Sequence, residues 1–197
     1  MTTFPLTATR PVLADVVPGA RVRDAALIVC GAALTFLGAQ ITIHTGASPV
    51  PITGQTLGVV LAGAALGARR GMASQLLYVL VGLALPVYAD GEQGFDVIWG
   101  ATGGYLIGFI AAAGVIGALA ERGADRKPVI AFFSYAGAQL VIFGFGVPWL
   151  KVAADMSWAD AIHYGFTLFI VGGIVKALAG AALTPSAWRL VKRIDRA

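Results

Sequence analysis

Long apolar runs separated by short polar connections dominate the pattern of this 197-residue sequence. Charged residues are absent from four stretches and reduced to a single lysine in a fifth. These stretches are residues 25–68, 71–89, 97–120, 128–150 and 161–188. About 17–25 apolar residues suffice to cross a hydrocarbon core about 30 Å thick, so the pattern predicts an integral membrane protein. The runs lack the alternating ten-residue pattern of a membrane barrel, which favours helices.

The apolar runs predict an all-α fold with six transmembrane helices. Prolines help to set the ends of the spans, because proline removes an amide donor and biases its predecessor away from helix. The predicted spans are 25–43, 53–68, 71–88, 103–119, 128–147 and 163–188. They form one membrane domain, 25–188, between a short N-terminal arm, 1–24, and a basic tail, 189–197.

The positions of the basic residues predict the orientation of these spans. With six spans, both termini and the second and fourth connections share one side, and that side holds all but two of the 14 Lys and Arg residues. The exceptions are Lys151, in the fifth connection, and Lys176, within the sixth span. Because positively charged loops stay in the cytoplasm, both termini are predicted to be cytoplasmic. The same placement accounts for the net charge of +4 through contacts with lipid headgroups, without nucleic acid as a partner.

Composition narrows the possible functions further. Only 12% of the residues are charged and 58% are hydrophobic, with a mean hydropathy of +0.82, which excludes an ordinary soluble enzyme. The single cysteine, Cys30, permits neither an internal disulfide nor a Cys-based zinc site. The sequence contains no recognisable nucleophilic triad, phosphate loop or metal-binding helix motif. We therefore predict no catalytic residues, metal or cofactor. A membrane enzyme that uses external acids such as Asp90 and Asp96 is the alternative.

Lys176 is the most informative single residue in the apolar runs. It lies about 12 residues, or roughly 18 Å, from either end of the predicted sixth span, too deep for its side chain to reach a headgroup layer. A charge at that depth costs on the order of 2.5–3.5 kcal/mol. The spans contain no Asp or Glu to neutralise it. One interpretation is a cation that meets an anionic ligand, and the other is a structural lysine satisfied by carbonyls or neighbouring side chains.

Two segments at the external ends of spans contain further candidate ligand contacts. The loop 51–56 includes Thr53 and Gln55, whose short polar side chains can bond a neutral polar ligand. The glycine-rich segment 100–105 opens the fourth span. Its glycines serve either to bring the backbone close to a ligand or to let two helices pack closely, and both interpretations stay open.

Several motifs in register resemble the BioY family, the biotin-specific S components of energy-coupling-factor (ECF) vitamin transporters. These motifs are VPITGQTLG (50–58), LGARRG (66–71), LPVY (85–88), GATGGYLIGF (100–109), GVPWL (146–150) and VKA (175–177). The resemblance spans roughly residues 25–185 in order, together with the six predicted helices.

The resemblance implies an S-component-like bundle in a prokaryotic cytoplasmic (inner) membrane that takes up biotin. It implies a pocket open to the exterior and capped by the loop between the first two spans, with no cofactor besides the transported ligand. The residues that the resemblance assigns to substrate binding are Thr53, Gln55, Tyr88, Thr102, Gly103, Gly104, Tyr105 and Lys176. An S component for another small vitamin is the alternative.

The resemblance also bears on partners. S components dock to a transmembrane T component through small residues spaced by four on the first span, which here are Gly31, Thr35 and Ala39. The implied partner is an ECF coupling module of a T component and two ATPases, with self-association as the alternative. The family commonly carries an Asp three residues before the lysine of the sixth span, where this chain has Gly173.

Overall fold

The structure is a computed structural model that describes residues 11–16, 21–46 and 48–194. Arg10 and Arg196, two basic residues on the predicted cytoplasmic side, lie outside these ranges. The described helices are α1 (Arg21–Ala39), α2 (Gln55–Leu66), α3 (Ala68–Gly82), α4 (Phe95–Trp99), α5 (Gly103–Ala120), α6 (Pro128–Ala153), α7 (Trp158–Gly165) and α8 (Ile170–Ile194). Two short antiparallel strands, β1 (Thr42–Ile43) and β2 (Ile52–Thr53), join α1 to α2.

The helices form a bundle, and several of them are suited to span a membrane. Within the described ranges, four segments are long and apolar enough to cross a membrane: α1, α5, α6 and the stretch Trp158–Arg193 that contains α7 and α8. The apolar helix α2 has only 12 residues, and α3 has 15 with two arginines in its first turn. The prediction of a mostly helical membrane protein is confirmed. The count of six spans and the side of the termini stay predictions.

The connection between α1 and α2 is a short hairpin rather than a continuation of the first helix. α1 ends at Ala39, four residues before the predicted end at Ile43. The strands then pair Thr42 with Thr53, so that Thr53 lies in the hairpin and not at the start of a span as predicted. β-branched residues favour strands over helices, which accounts for the difference.

The predicted sixth span is divided into two helices. α7 ends at Gly165, and a single tight turn at Thr167–Phe169 leads into α8. A side chain at position 165 would bring a Cβ within 2.6 Å of the Tyr105 hydroxyl, so glycine permits this crossing. Lys176 therefore lies six residues into α8, roughly 9 Å from its first residue, and not in the middle of an uninterrupted span.

The small-residue stripe on α1 faces the inside of the bundle. Gly31, Thr35 and Ala39 are all buried. A Cβ on Gly31 would lie 2.8 Å from Ser74 Cβ, and the Thr35 hydroxyl donates a hydrogen bond to Gln75 Oε1 of α3 at 3.0 Å. In this chain the stripe packs against α2 and α3, and its role in docking a partner stays a prediction.

Side chains link the helices at the end of the bundle that carries the basic residues. Trp188 Nε1 donates a hydrogen bond to the carboxylate of Asp125, which is 1% exposed. The Arg126 guanidinium lies over the Trp188 ring, 4.4 Å from its centroid, and also donates to the Pro11 carbonyl at 2.9 Å. Burial raises the pKa of Asp125 above its ordinary value, and the hydrogen bond from Trp188 offsets only part of this effect. The loop before α6 is thereby fixed to α8.

Candidate functional site

A cavity of about 220 Å³ lies at the end of the bundle opposite the basic residues. Its walls come from the α1–α2 hairpin, the loop after α3, and helices α5, α6 and α8. Six of the eight residues predicted to bind substrate line it. These six are Thr53, Gln55, Tyr88, Thr102, Tyr105 and Lys176. The fold therefore brings together residues separated by more than 120 positions in the sequence.

A chain of hydrogen bonds fixes the polar wall of the cavity. The Thr53 hydroxyl donates to Gln55 Oε1 at 2.8 Å, and Gln55 Nε2 donates to the Tyr78 hydroxyl at 2.7 Å. Tyr78 in turn donates to the Val87 carbonyl at 3.0 Å. Gln55 and Tyr78 are buried, so these bonds satisfy groups that cannot reach water. The network holds the hairpin against α3, and Tyr78 is a supporting residue that the sequence did not reveal.

The loop after α3 is fixed to the same wall by Tyr88. Its hydroxyl donates to the Val79 carbonyl at 2.7 Å, and its ring packs edge-to-face on Tyr78 with centroids 5.7 Å apart. A Cβ on Gly82 would collide with the Tyr88 ring, so glycine makes room for it. Tyr88 thus presents a ring surface to the cavity while its hydroxyl is already bonded.

Lys176 extends from α8 into the cavity. Its Nζ donates a hydrogen bond to the Thr53 carbonyl at 2.9 Å. No carboxylate of the described residues lies within ion-pair distance of it. An ammonium group has three donors, and the Thr53 carbonyl occupies one of them. A backbone carbonyl therefore holds the lysine, as the structural interpretation expects, and its pairing with an anionic ligand stays a prediction.

Aromatic rings form the opposite, apolar wall. Tyr105, Phe143 and Phe169 pack on one another, with ring centroids 6.0–6.4 Å apart. The Tyr105 hydroxyl donates to the Gly165 carbonyl at 2.8 Å, which fixes its ring against the α7–α8 turn. Only Tyr105 was predicted. Phe143 and Phe169 occur in uniformly apolar stretches, where no pattern separates a cavity residue from a lipid-facing one.

Acidic residues lie at the mouth of the cavity. His44 Nε2 lies 3.1 Å from Asp90 Oδ1, which links the hairpin to the loop after α3, and Glu92 lines the same opening. Asp90 adopts a left-handed backbone conformation with φ of 59°. Asp96, the other acid of the enzyme alternative, is not among the lining residues. No group of three or more His, Cys, Asp or Glu suited to a metal occurs in the part of the chain described.

Gly103 and Gly104, two of the residues predicted to bind substrate, are not among the residues that line the cavity. A Cβ on Gly103 would lie 1.7 Å from the Ile98 carbonyl oxygen, and one on Gly104 would lie 2.2 Å from Trp149 Cβ. Both glycines therefore permit the close packing of α5 on its neighbours, as one of the two sequence interpretations expects. From the segment 100–105, Thr102 just before α5 and Tyr105 in its first turn line the cavity.

Gly173, the departure from the family pattern, faces α6. A Cβ at this position would lie 3.1 Å from Gln139 Oε1, and Gln139 Nε2 donates to the Gly173 carbonyl at 2.9 Å. Gln139 Oε1 is buried without a hydrogen-bond partner in the structure. Glycine at this position thus leaves room for a glutamine that links α6 to α8.

Similarity to known proteins provides independent evidence of the family to which this chain belongs. The BioY family model matches residues 9–193. The biotin transporter BioY of Rhizobium etli is 37% identical over 170 residues, which are 82% of this chain and 90% of that relative. The biotin transporter BioY2 of Lactococcus lactis subsp. cremoris is 35% identical over 156 residues, 77% of this chain and 82% of that protein.

A solved structure shares the fold. The crystal structure of the S-component for biotin from an ECF-type ABC transporter matches with a TM-score of 0.72 over 89% of this chain and 92% of that one, at 22% identity. The members of this family are transporters and not enzymes, which excludes the alternative of a membrane enzyme that uses external acids. With a family match over nearly the whole chain and relatives above 30% identity, this protein belongs to the BioY family.

Proposed function

We propose that this protein binds biotin in the cavity beneath the α1–α2 hairpin and serves its uptake. The observation that carries this proposal is the ammonium group of Lys176, which reaches the cavity without a carboxylate partner among the described residues. Biotin has a carboxylate, and a charge-assisted hydrogen bond between the two groups is stronger than a neutral one. The named relatives are biotin transporters, which supports the same ligand.

The two walls of the cavity suit the two parts of biotin. The rings of Tyr105, Phe143 and Phe169 offer apolar contact to the hydrocarbon and thioether portions. Oxygen acceptors at the mouth, from Asp90 and Glu92, match the N–H groups of the uncharged ureido ring. Ligand pockets in proteins combine a mostly apolar lining with a few placed polar groups in this way.

The hairpin serves as the cap of the pocket. Its Thr53 carbonyl holds Lys176, and an arriving carboxylate competes for the same ammonium group. The hairpin is also tied to the loop after α3 by His44 and Asp90, and to α7 by the Ser48 hydroxyl, which donates to the Tyr164 carbonyl at 2.9 Å. Entry of biotin from outside requires these ties to loosen, so that ligand binding and hairpin movement are coupled.

The membrane arrangement that accompanies this function has six spans, formed by α1, α2, α3, α5, α6 and α8 within residues 25–188. Both termini lie in the cytoplasm of a prokaryotic cell, and the cavity opens outward through its inner membrane. Uptake is driven by an ECF coupling module of a T component and two ATPases, or proceeds through self-association. The outward face of α1, with Val22, Val29 and Leu37 exposed, is the surface available to either partner.

Isothermal titration of the purified protein, together with competition against labelled biotin, tests whether biotin is the ligand. We expect biotin to bind tightly with one molecule per chain, and an excess of other vitamins to leave labelled biotin in place. Displacement of biotin by a different vitamin would favour the alternative ligand. Uptake of labelled biotin by cells expressing this chain, with and without a coupling module, separates the two modes of transport.

A further inference from the structure

A second apolar depression lies between α6 and α8, outside the ligand cavity. It measures about 490 Å³, and its lining includes Val129 and Phe132 from α6 and Leu178 and Ala182 from α8. Val129 and Leu178 are 68% and 55% exposed. The floor is low because Ala181 and Ala182 stand where α8 could have carried larger side chains. We call this depression the α6–α8 groove.

One end of the groove is positively charged. Arg189 and Ser186 line it, and the Arg189 guanidinium donates to the Ser186 hydroxyl at 3.0 Å. Helical periodicity places Lys192 and Arg193 one turn further along the same face of α8. The exposed Lys127 directly precedes the first groove residue of α6.

Four acids in the described part of this end of the bundle are already engaged. Asp125 accepts a hydrogen bond from Trp188, and Glu121 accepts one from the Ala68 amide at 2.9 Å. Asp15 and Asp24 pair with Arg70. No carboxylate of the described residues lies within ion-pair distance of Arg189. The positive charge beside the groove is therefore not neutralised by the described part of the protein.

The length of the groove matches one leaflet of a bilayer. From Leu178 to Arg189 is 11 residues along α8, or roughly 16 Å at the rise of a helix. Half of a hydrocarbon core about 30 Å thick is nearly the same length. An acyl chain lying on Leu178, Phe132 and Ala182 thus ends where Arg189 meets the headgroup layer. Basic pockets between membrane helices are known to hold anionic headgroups.

We propose that the α6–α8 groove is a binding site for one anionic glycerophospholipid, with an acyl chain on the alanine floor and its phosphate on Arg189. The site is separate from the ligand cavity, because none of the groove residues lines that cavity. The lipid packs into the α6–α8 seam. It thereby supports the helix that carries Lys176.

Native mass spectrometry tests this site on the full-length protein. The protein is exchanged into mixed micelles of phosphatidylglycerol and phosphatidylcholine with identical acyl chains, and retained lipid is counted. Both lipids have a phosphate that can accept from Arg189, but the choline group of phosphatidylcholine cancels its charge. The attraction of one basic residue to a headgroup with net negative charge predicts a preference for phosphatidylglycerol of about fivefold. Arg189→Gln should abolish the preference. Arg122→Gln should keep it, since that exposed arginine lies outside the groove.

Ala182→Phe provides a second arm, since it fills the groove and leaves the arginine in place. The Ala182→Phe variant should lose the bound phosphatidylglycerol. Excess inorganic phosphate should not displace this lipid from the wild type. Equal retention by the wild type, Arg189→Gln and Ala182→Phe would overturn the proposal. So would displacement by inorganic phosphate, which would indicate a site for soluble anions. Conversion of a dimer to a monomer by Ala182→Phe, with lipid unchanged, would show that a second copy of this chain occupies the groove. If Ala182→Phe does not fold, Arg189→Gln decides alone.

Discussion

Replacing Lys176 with Met is the perturbation that addresses the ligand site most directly. Met keeps an unbranched side chain that is shorter by one atom, and it lacks the ammonium group with its charge and its donors. Among the described residues the ammonium group has one hydrogen-bond partner, the Thr53 carbonyl, so its other donors are available to a carboxylate. Truncating one partner of a buried, hydrogen-bonded charge pair costs about 2–5 kcal/mol. At about 1.4 kcal/mol per tenfold change, biotin affinity should fall tens- to thousands-fold.

The assay compares biotin with its neutral amide by isothermal titration calorimetry. The wild type should bind biotin much more tightly than the amide, because only biotin has an anion to pair with the lysine. Lys176→Met should bind both ligands weakly and nearly equally. Comparison of the two ligands matters because the lysine also holds the hairpin through Thr53. A purely structural lysine would weaken both ligands and leave their ratio unchanged.

Lys151→Met serves as the matched control. Lys151 lies at the end of α6, outside the cavity, with its Nζ 6.0 Å from the centroid of the Trp158 ring. This variant should keep both the affinity and the preference for biotin. Full affinity and full discrimination in Lys176→Met would refute the assignment of Lys176 to the carboxylate.

Three further predictions concern stability, measured as thermal unfolding in detergent. Gly104→Ala should destabilise the protein by about 1–3 kcal/mol, because its Cβ would lie 2.2 Å from Trp149 Cβ. The control Gly137→Ala should leave the stability unchanged, because no atom lies within 4 Å of the added Cβ. Equal destabilisation by the two substitutions would contradict the packing role of Gly104. Burial raises the pKa of Asp125 above 3.8, so its ionisation opposes folding as the pH rises past that value. Asp125→Asn, which keeps an acceptor for the indole, should therefore raise the unfolding temperature at pH 7 more than near pH 4, and a constant difference would refute this. Gly31→Leu should lower the unfolding temperature of the isolated chain, whereas an effect confined to transport would indicate partner docking instead.

The sequence predicts site residues best where placing a residue in an apolar environment costs much free energy. A charge in an apolar run is energetically costly, so the sequence alone identifies Lys176 as a candidate, and in the structure it lines the cavity. Thr53 and Gln55 could be named because they are short polar residues in a loop. Phe143 and Phe169 could not, since an aromatic residue in an apolar stretch has the same appearance whether it faces lipid, the core or a ligand.

The parts of the fold that could not be predicted from the sequence depend on tertiary contacts. The hairpin depends on pairing between Thr42 and Thr53, eleven positions apart, which helical periodicity does not report. The break between α7 and α8 depends on the contact of Gly165 with Tyr105. The small-residue stripe on α1 indicated close packing correctly but could not reveal whether the neighbour belongs to the same chain.

The most direct test of the account is a structure of the protein determined with biotin. We expect one biotin molecule in the cavity under the α1–α2 hairpin, with a carboxylate oxygen within hydrogen-bond distance of Lys176 Nζ and the ligand against Tyr105 and Phe143. Biotin bound elsewhere, or bound in the cavity with its carboxylate turned away from Lys176, would contradict the proposed site.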